Sequence, residues 1–202
     1  MKDIIYHILG LCGESHPSLF TILILGLTPF IFIYKKVIGF FKKIINYVKK
    51  VLSTKIYDGY STCFRQWKAT DTHCQYLHGY SVSLKVTYEG DLDEKNWVVD
   101  FGRAKRSDIE IDGMTLKDWL AYMLDHTVIV AEDDPFLEAF KQMDKVGAAR
   151  VRVIPAVGAE KFAEYFYNKL NEWVKEDTNN RCKIVSVEVR EHEKNSAIYY
   201  GE

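Results

Sequence analysis

The 202-residue sequence has only four cysteines, and no two of them are spaced as a pair. Cys12, Cys63, Cys74 and Cys182 therefore do not predict a disulfide scaffold, and they favour a reducing compartment. Internal repeats and low-complexity segments are also missing. Apolar residues make up 48% of the chain and charged residues 27%, a balance that is typical of a folded protein rather than a disordered one.

Charge is missing from particular stretches of the chain. Residues 18–34 contain no charged side chain, and residues 35–55 contain seven lysines but no acid. The formal net charge of −1 therefore hides a split between +7 in residues 35–55 and −7 in residues 56–202. A folded part that is acidic argues against a nucleic-acid-binding domain, which would itself be basic.

The apolar and basic stretches predict a membrane anchor. As a helix, residues 18–34 would span about 26 Å, slightly less than the ~30 Å hydrocarbon core of a bilayer. Lysine pairs then recur every seven residues among apolar side chains up to residue 52, which predicts a basic amphipathic helix on an anionic lipid surface. We therefore predict a leader over residues 1–55 that contacts membrane lipid through residues 18–52. The lysines place the remaining domain, residues 56–202, in the cytoplasm.

Other interpretations of the leader are a secretory signal peptide, a buried helical hairpin and an oligomerisation arm. A secretory signal peptide would need its positive charge before the apolar run and a small-residue cleavage site after it, and neither is present. A buried helical hairpin or an oligomerisation arm stays open as an alternative. His7, Cys12 and His16 are metal-ligand residue types, but a cap at the membrane surface is the simpler interpretation of this short stretch.

The remaining chain predicts an α+β domain. Residues 78–89 alternate between apolar and polar positions, as a half-buried strand does, and residues 158–174 carry large apolar side chains at helical spacing. We predict an antiparallel sheet with two helices on one face. Its strands are predicted over residues 56–66, 78–89, 148–154 and 183–190, and its helices over residues 115–123 and 158–174.

Three places in this domain carry residues suited to chemistry. Cys74 lies beside His73, and a thiol near imidazoles can act as a nucleophile or acid/base. Asp125 and His126 are adjacent, and a carboxylate can orient an imidazole for proton transfer. Glu191 ends the last predicted strand, where a carboxylate could hold an amino-pyrimidine edge. Each has a plainer alternative: a packed thiol, a pair pointing to opposite sides of a strand, and a solvated carboxylate.

The same three places belong to a longer series of ordered motifs. These are CQYLHGY at 74–80, WVVDF at 97–101, LDH at 124–126, GAE at 158–160, and VRE at 189–191 followed by the tail YYGE at 199–202. In this order and spacing, from about Tyr60 to Glu202, the sequence resembles the 6-pyruvoyltetrahydropterin synthase / 6-carboxytetrahydropterin synthase family.

The resemblance implies the tunnelling fold, a four-stranded antiparallel sheet with two helices, assembled as a trimer or hexamer with its site between subunits. It implies a lyase-type reaction on 7,8-dihydroneopterin triphosphate, in which triphosphate leaves and the side chain is remodelled over a zinc ion. By resemblance, Cys74 is the general base with Asp125 and His126 as its relay partners, and Glu191 anchors the pterin ring. The product would feed a folate-like, biopterin or 7-deazaguanine (queuosine-type) pathway.

The zinc site departs from the family pattern. Family zinc is held by three histidines, of which only His78 is present here. Tyr80 stands at the second ligand position and Phe64 at the first, and sliding the alignment to Cys63 would turn that side chain to the other face of the strand. One histidine is short of the three protein ligands that a catalytic zinc requires.

Two functions therefore stay open. In the first, the protein is a pterin synthase-like enzyme tethered to a membrane. In the second, it is a non-catalytic, membrane-tethered oligomeric platform or a pterin-binding protein that has lost zinc chemistry.

Overall fold

The computed structural model describes Tyr6, residues 32–41 and residues 51–201. The chain divides into two compact units, Met1–Lys50 and Val51–Glu202. In the first unit residues 32–41 are helical. The second unit begins directly with a strand, so folded structure starts inside the leader that was predicted to extend to residue 55.

The membrane-anchored location predicted for the protein is wrong. Within the described residues, no helix is both long enough and apolar enough to cross a bilayer. The ten helical residues 32–41 span only about 15 Å and include Lys35 and Lys36. Residues 51 and 52 lie in a strand, so the amphipathic helix predicted to reach residue 52 does not do so. Residues 18–31 and 42–50 of the predicted lipid-contacting segment, like most of the predicted hydrophobic helix, lie outside the described residues.

The second unit is built on a sheet of six strands in the order β4-β3-β1-β2-β5-β6. Neighbouring strands in the β1-β2-β5-β6 part are antiparallel, whereas β3 runs parallel to β1 and β4 runs parallel to β3. The strands are β1 (Val51–Phe64), β2 (His78–Gly90), β3 (Thr127–Ala131), β4 (Val151–Ile154), β5 (Cys182–His192) and β6 (Asn195–Tyr200).

Four α-helices and one 3₁₀ turn connect the strands. The 3₁₀ turn His73–Gln75 precedes β2. The α-helices are α1 (Arg103–Arg106), α2 (Leu116–Leu124), α3 (Leu137–Lys145) and α4 (Ala159–Asp177). Thr115 begins α2 as predicted, because its side-chain oxygen accepts a hydrogen bond from the backbone N–H of Asp118.

The larger of two hydrophobic clusters contains residues of the sheet and of the two predicted helices, α2 and α4. Alternate residues of β2 are fully or almost fully buried, which explains the period-2 pattern of the sequence. Helix α4 buries residues at helical spacing against β5 and β6, and its Phe166 contacts the Trp119 ring of α2 at 5.7 Å between centroids. The buried residues of these elements are Val82, Leu84, Val86 and Tyr88 of β2, and Phe162, Phe166, Leu170 and Trp173 of α4.

The α+β class is therefore confirmed, but the four-stranded antiparallel sheet is not. The strand predicted over residues 148–154 is β4, which enters the sheet in the parallel direction. Strands β3 and β6 and helices α1 and α3 were not predicted. The five-residue β3 is an apolar run too short to show a period, and β6 continues from β5 through a tight connection after His192.

The register between β1 and β2 positions the candidate site. Phe64 pairs with His78, and Thr62 pairs with Tyr80. Because β5 pairs with β2 in antiparallel fashion, the end of β5 that carries Glu191 lies at the same end of the sheet as the start of β2.

Candidate functional site

The turn that carries Cys74 is fixed by backbone hydrogen bonds. The hydroxyl of Thr72 accepts a hydrogen bond from the Cys74 backbone N–H at 3.2 Å, and the Cys74 carbonyl accepts one from the Gln66 N–H at 2.8 Å. The Cys74 side chain is half-buried, and the neighbouring His73 ring lies 5.9 Å from the His78 ring, centroid to centroid. The predicted thiol is thus held close to the first residue of β2.

A buried ion pair attaches this turn to the loop after β3. The Arg65 guanidinium donates two hydrogen bonds to the Asp134 carboxylate, at 2.9 Å and 3.1 Å, and a third to the Gln75 carbonyl at 3.2 Å. The Asp134 side chain is 1% exposed. Sequence reasoning missed this pair because the two residues are 69 positions apart and neither belongs to a motif.

Aromatic rings fill the place where a metal site was considered. Phe64 is fully buried and stacks on Tyr80, with 4.3 Å between ring centroids and 15° between planes. On its other side Phe64 meets Phe162 of α4 edge-on at 4.8 Å. The Tyr80 hydroxyl forms a hydrogen bond with Nε2 of His78, whose Nδ1 lies 2.7 Å from the Tyr76 carbonyl oxygen. The one histidine retained from the ligand set is therefore engaged at both ring nitrogens.

These residues do not fit zinc. Phe64 offers no donor atom, and Nε2 of His78 already bonds to Tyr80. Burial raises the pKa of Tyr80 to about 12, and the Glu191 carboxylate and the Cys74 thiol add to the rise, so the phenol keeps its proton at neutral pH. Across the described part of the chain, no three His, Cys, Asp or Glu side chains gather closely enough to hold a metal.

Glu191 lies half-buried near the end of β5, in the same cluster as Tyr80 and His78. Burial raises the pKa of the Glu191 carboxyl, and the carboxylate of Glu160 in the first turn of α4 raises it further. Electrostatic interactions with His192 and His78 and a hydrogen bond with Asn195 act in the opposite direction. Glu160 was noted in a sequence motif, but its place beside Glu191 was not predicted.

Asp125 and His126 form a second cluster. Asp125 ends α2, and its carboxylate lies 2.9 Å from Nδ1 of His126. His126 has a left-handed backbone conformation (φ 55°), which brings the two adjacent side chains together rather than to opposite sides of a strand. The Asp125 carboxylate also accepts a hydrogen bond from the Ser61 N–H at 3.5 Å, and the His126 side chain is 74% exposed.

The hydrogen-bond partners of this second cluster differ from those of the Cys74 turn. Asp125 attaches to β1 at Ser61, whereas the Cys74 turn attaches at Gln66. The structure therefore brings Cys74, His78 and Glu191 together, with Tyr80. Asp125 and His126 pair with each other, and their side chains are 39% and 74% exposed.

The sequence was compared with known families and proteins. The model of the 6-pyruvoyl tetrahydropterin synthase family matches residues 54–202. A protein from Pyrococcus horikoshii, assigned as a 6-carboxy-5,6,7,8-tetrahydropterin synthase, is 26% identical over 125 residues, which are 60% of this chain and 72% of that relative.

Solved structures share the fold at low sequence identity. An uncharacterized protein from Wolinella succinogenes is 20% identical with a TM-score of 0.59, and the match covers 76% of this chain and 99% of that one. The 6-pyruvoyl tetrahydropterin synthase of Caenorhabditis elegans is 19% identical with a TM-score of 0.50, covering 76% and 96% of the two chains. That of Plasmodium vivax is 15% identical with a TM-score of 0.51, covering 75% and 98%.

Removing the ion-pair partner of the buried Asp134 should lower the stability of the fold. Arg65→Met leaves this carboxylate without its ion pair, and we expect the free energy of unfolding to fall by about 3–5 kcal/mol in urea titrations. The Cys74 thiol should also react faster with an alkylating reagent, because the turn loses its bond to Arg65. The matched control is Lys68→Met, which removes the exposed partner of Asp133 and should leave the urea midpoint in place. Equal effects of the two variants would contradict the prediction.

The raised pKa of Glu191 makes a pH-dependent prediction. Because the folded state holds this proton more tightly than the unfolded chain, whose carboxyl titrates near 4.5, stability falls as pH rises through and above that value. Glu191→Gln should therefore raise the urea midpoint at pH 7 and leave it unchanged near pH 3.5, where both forms are neutral. The exposed Glu193→Gln serves as control. A midpoint difference that is the same at both pH values would refute the assignment.

Proposed function

The chain belongs to the 6-pyruvoyl tetrahydropterin synthase family, and from that premise we propose that residues 51–201 bind a pterin of the dihydroneopterin triphosphate type. Glu191 is the proposed anchor of the pterin ring. A carboxylate can accept two hydrogen bonds side by side, one from the ring N–H and one from the exocyclic amine of an amino-pyrimidine. The observation that carries the proposal is the half-buried Glu191 carboxyl beside His78 and Tyr80, next to the Cys74 turn.

Cys74 is the proposed acid/base group for chemistry on the pterin side chain. Its turn is fixed by Thr72, Gln66 and Arg65, so the thiol is presented from a defined backbone position. The proposed relay partners Asp125 and His126 bond to each other and to Ser61, and the described residues show no hydrogen bond from either to the Cys74 thiol. A homo-oligomer, trimer or hexamer, in which a neighbouring subunit supplies that exposed pair, would complete the proposed site.

A second candidate function is binding of a pterin without turnover. It is favoured by the Phe64–Tyr80 stack, because a site without a metal lacks the Lewis acid that would polarise the side-chain oxygens of the substrate. The two candidates share the same ring anchor and differ in whether triphosphate is released. Product analysis with dihydroneopterin triphosphate separates them.

Loss of the ring anchor should weaken pterin binding. We expect Glu191→Gln to weaken binding of 7,8-dihydroneopterin triphosphate by about 10- to 100-fold, since the lost hydrogen bonds involve a charged acceptor. Titration of the pterin fluorescence measures this, with Glu193→Gln as the matched control. If the wild-type chain also releases triphosphate and Cys74→Ala does not, the protein is an enzyme. Equal affinity of the wild type and Glu191→Gln would overturn the proposed anchor.

Restoring two histidines should create a metal site. In the Phe64→His/Tyr80→His variant three imidazoles replace the aromatic stack, and we expect about one zinc per chain by elemental analysis after dialysis, against none in the wild type. Phe64→His alone should be destabilised by about 2–4 kcal/mol, because it places a polar ring in a fully buried position. Zinc bound in equal amount by the wild-type chain would contradict the prediction.

A further inference from the structure

The hydrogen bonds of His78 define the direction in which the Tyr80 hydroxyl points its proton. A carbonyl oxygen can only accept, so Nδ1 of His78 donates to the Tyr76 carbonyl at 2.7 Å. In the neutral imidazole the proton is then on Nδ1, and Nε2 is left as an acceptor. The Tyr80 O–H therefore donates to Nε2, and the phenol oxygen keeps its lone pairs for another partner.

The phenol oxygen is also held in place. The Tyr80 ring is stacked on the fully buried Phe64, which is in turn packed against Phe162. The ring cannot leave this position without breaking both the stack and the bond to His78. An acceptor that is fixed before a ligand arrives loses little conformational entropy on binding.

The surroundings of the phenol select the kind of ligand. Glu191 and Cys74 both act electrostatically on Tyr80, and Glu160 acts on Glu191. Two carboxylates in this cluster repel an anionic group such as a phosphate. The free lone pairs of Tyr80 require a proton donor. A neutral hydroxyl meets both conditions, whereas a phosphate or a carboxylate meets neither.

We infer that the Tyr80 hydroxyl, held on His78 and Phe64, binds a side-chain hydroxyl of the ligand whose ring is held by Glu191. The inference rests on the proposed function, because it assumes that a pterin occupies the site. It makes Tyr80 the residue that distinguishes a pterin with a hydroxylated side chain from one without. It also directs any triphosphate of the ligand away from the Glu160–Glu191 pair.

Two ligands and one conservative variant test the inference. 7,8-Dihydroneopterin carries side-chain hydroxyls, whereas 6-methyl-7,8-dihydropterin has the same ring and none. We expect the wild-type full-length chain to bind the first about tenfold more tightly than the second, as one hydrogen bond predicts. Tyr80→Phe should bring the two affinities to within about twofold by weakening only the binding of dihydroneopterin.

The controls separate this inference from the proposed function and from misfolding. Tyr122→Phe removes a hydroxyl from an exposed ring whose stacking partner Arg152 stays in place, and it should retain the tenfold preference. Unchanged affinity of Tyr80→Phe for 6-methyl-7,8-dihydropterin shows that this variant is folded. The inference is overturned if Tyr80→Phe weakens the binding of both ligands equally, or if the wild type binds both with the same affinity. Either result leaves the proposed role of Glu191 as ring anchor in place. If the wild-type chain binds neither pterin, the proposed function fails and the inference fails with it.

Discussion

The pairing of β1 with β2 is the constraint on which the site depends. Because Phe64 lies opposite His78 and Thr62 opposite Tyr80, the last core residue of β1 meets the first residues of β2 at one end of the sheet. The register is fixed because alternate side chains of β2 are buried in the core, on which α4 also packs. A shift of β1 by one residue would turn Phe64 to the opposite face, which would open the core and separate Phe64 from Tyr80.

The aromatic stack at this end of the sheet is stabilised by different interactions from those of a metal centre. A zinc site is held by a few directional bonds to the metal, whereas the stack of Phe64 and Tyr80 is stabilised by burial, by ring contact and by the hydrogen bond between Tyr80 and His78. His78 keeps its position in the strand but bonds to a phenol. The stack forms without a metal, and the polar groups around it are a thiol, an imidazole, a phenol and two carboxylates. Such a set suits neutral, hydroxylated ligands.

Much of the fold could be predicted from the sequence because its elements have strong periodicity. The alternation in β2 and the helical spacing in α4 both reflect burial against one core, so pattern and structure agree. Strand directions could not be predicted, because β3 and β4 are short and pair in parallel through connections that carry no turn motif. For the leader, hydropathy suggested an anchor, whereas the described helix of residues 32–41 is too short and too charged to span a bilayer.

For the site, ordered motifs located Cys74, His78 and Glu191, and they identified Phe64 and Tyr80 as departures. The motifs could not show that Phe64 and Tyr80 stack on each other, because that contact depends on how β1 and β2 pair. They also could not show which residues Asp125 and His126 contact, because the order of motifs along a chain does not determine distances in space. The buried Arg65–Asp134 pair could not be predicted either, because the two residues are 69 positions apart in the sequence.

The Phe64–Tyr80 stack also has a consequence for how this site could diverge. Each ring is packed on the other, so the effects of replacing them are coupled rather than additive. Replacing either ring alone removes the stack, so we expect each single histidine replacement to be less stable than the wild type. Epistasis of this kind would oppose a stepwise exchange of the two aromatic residues for metal ligands.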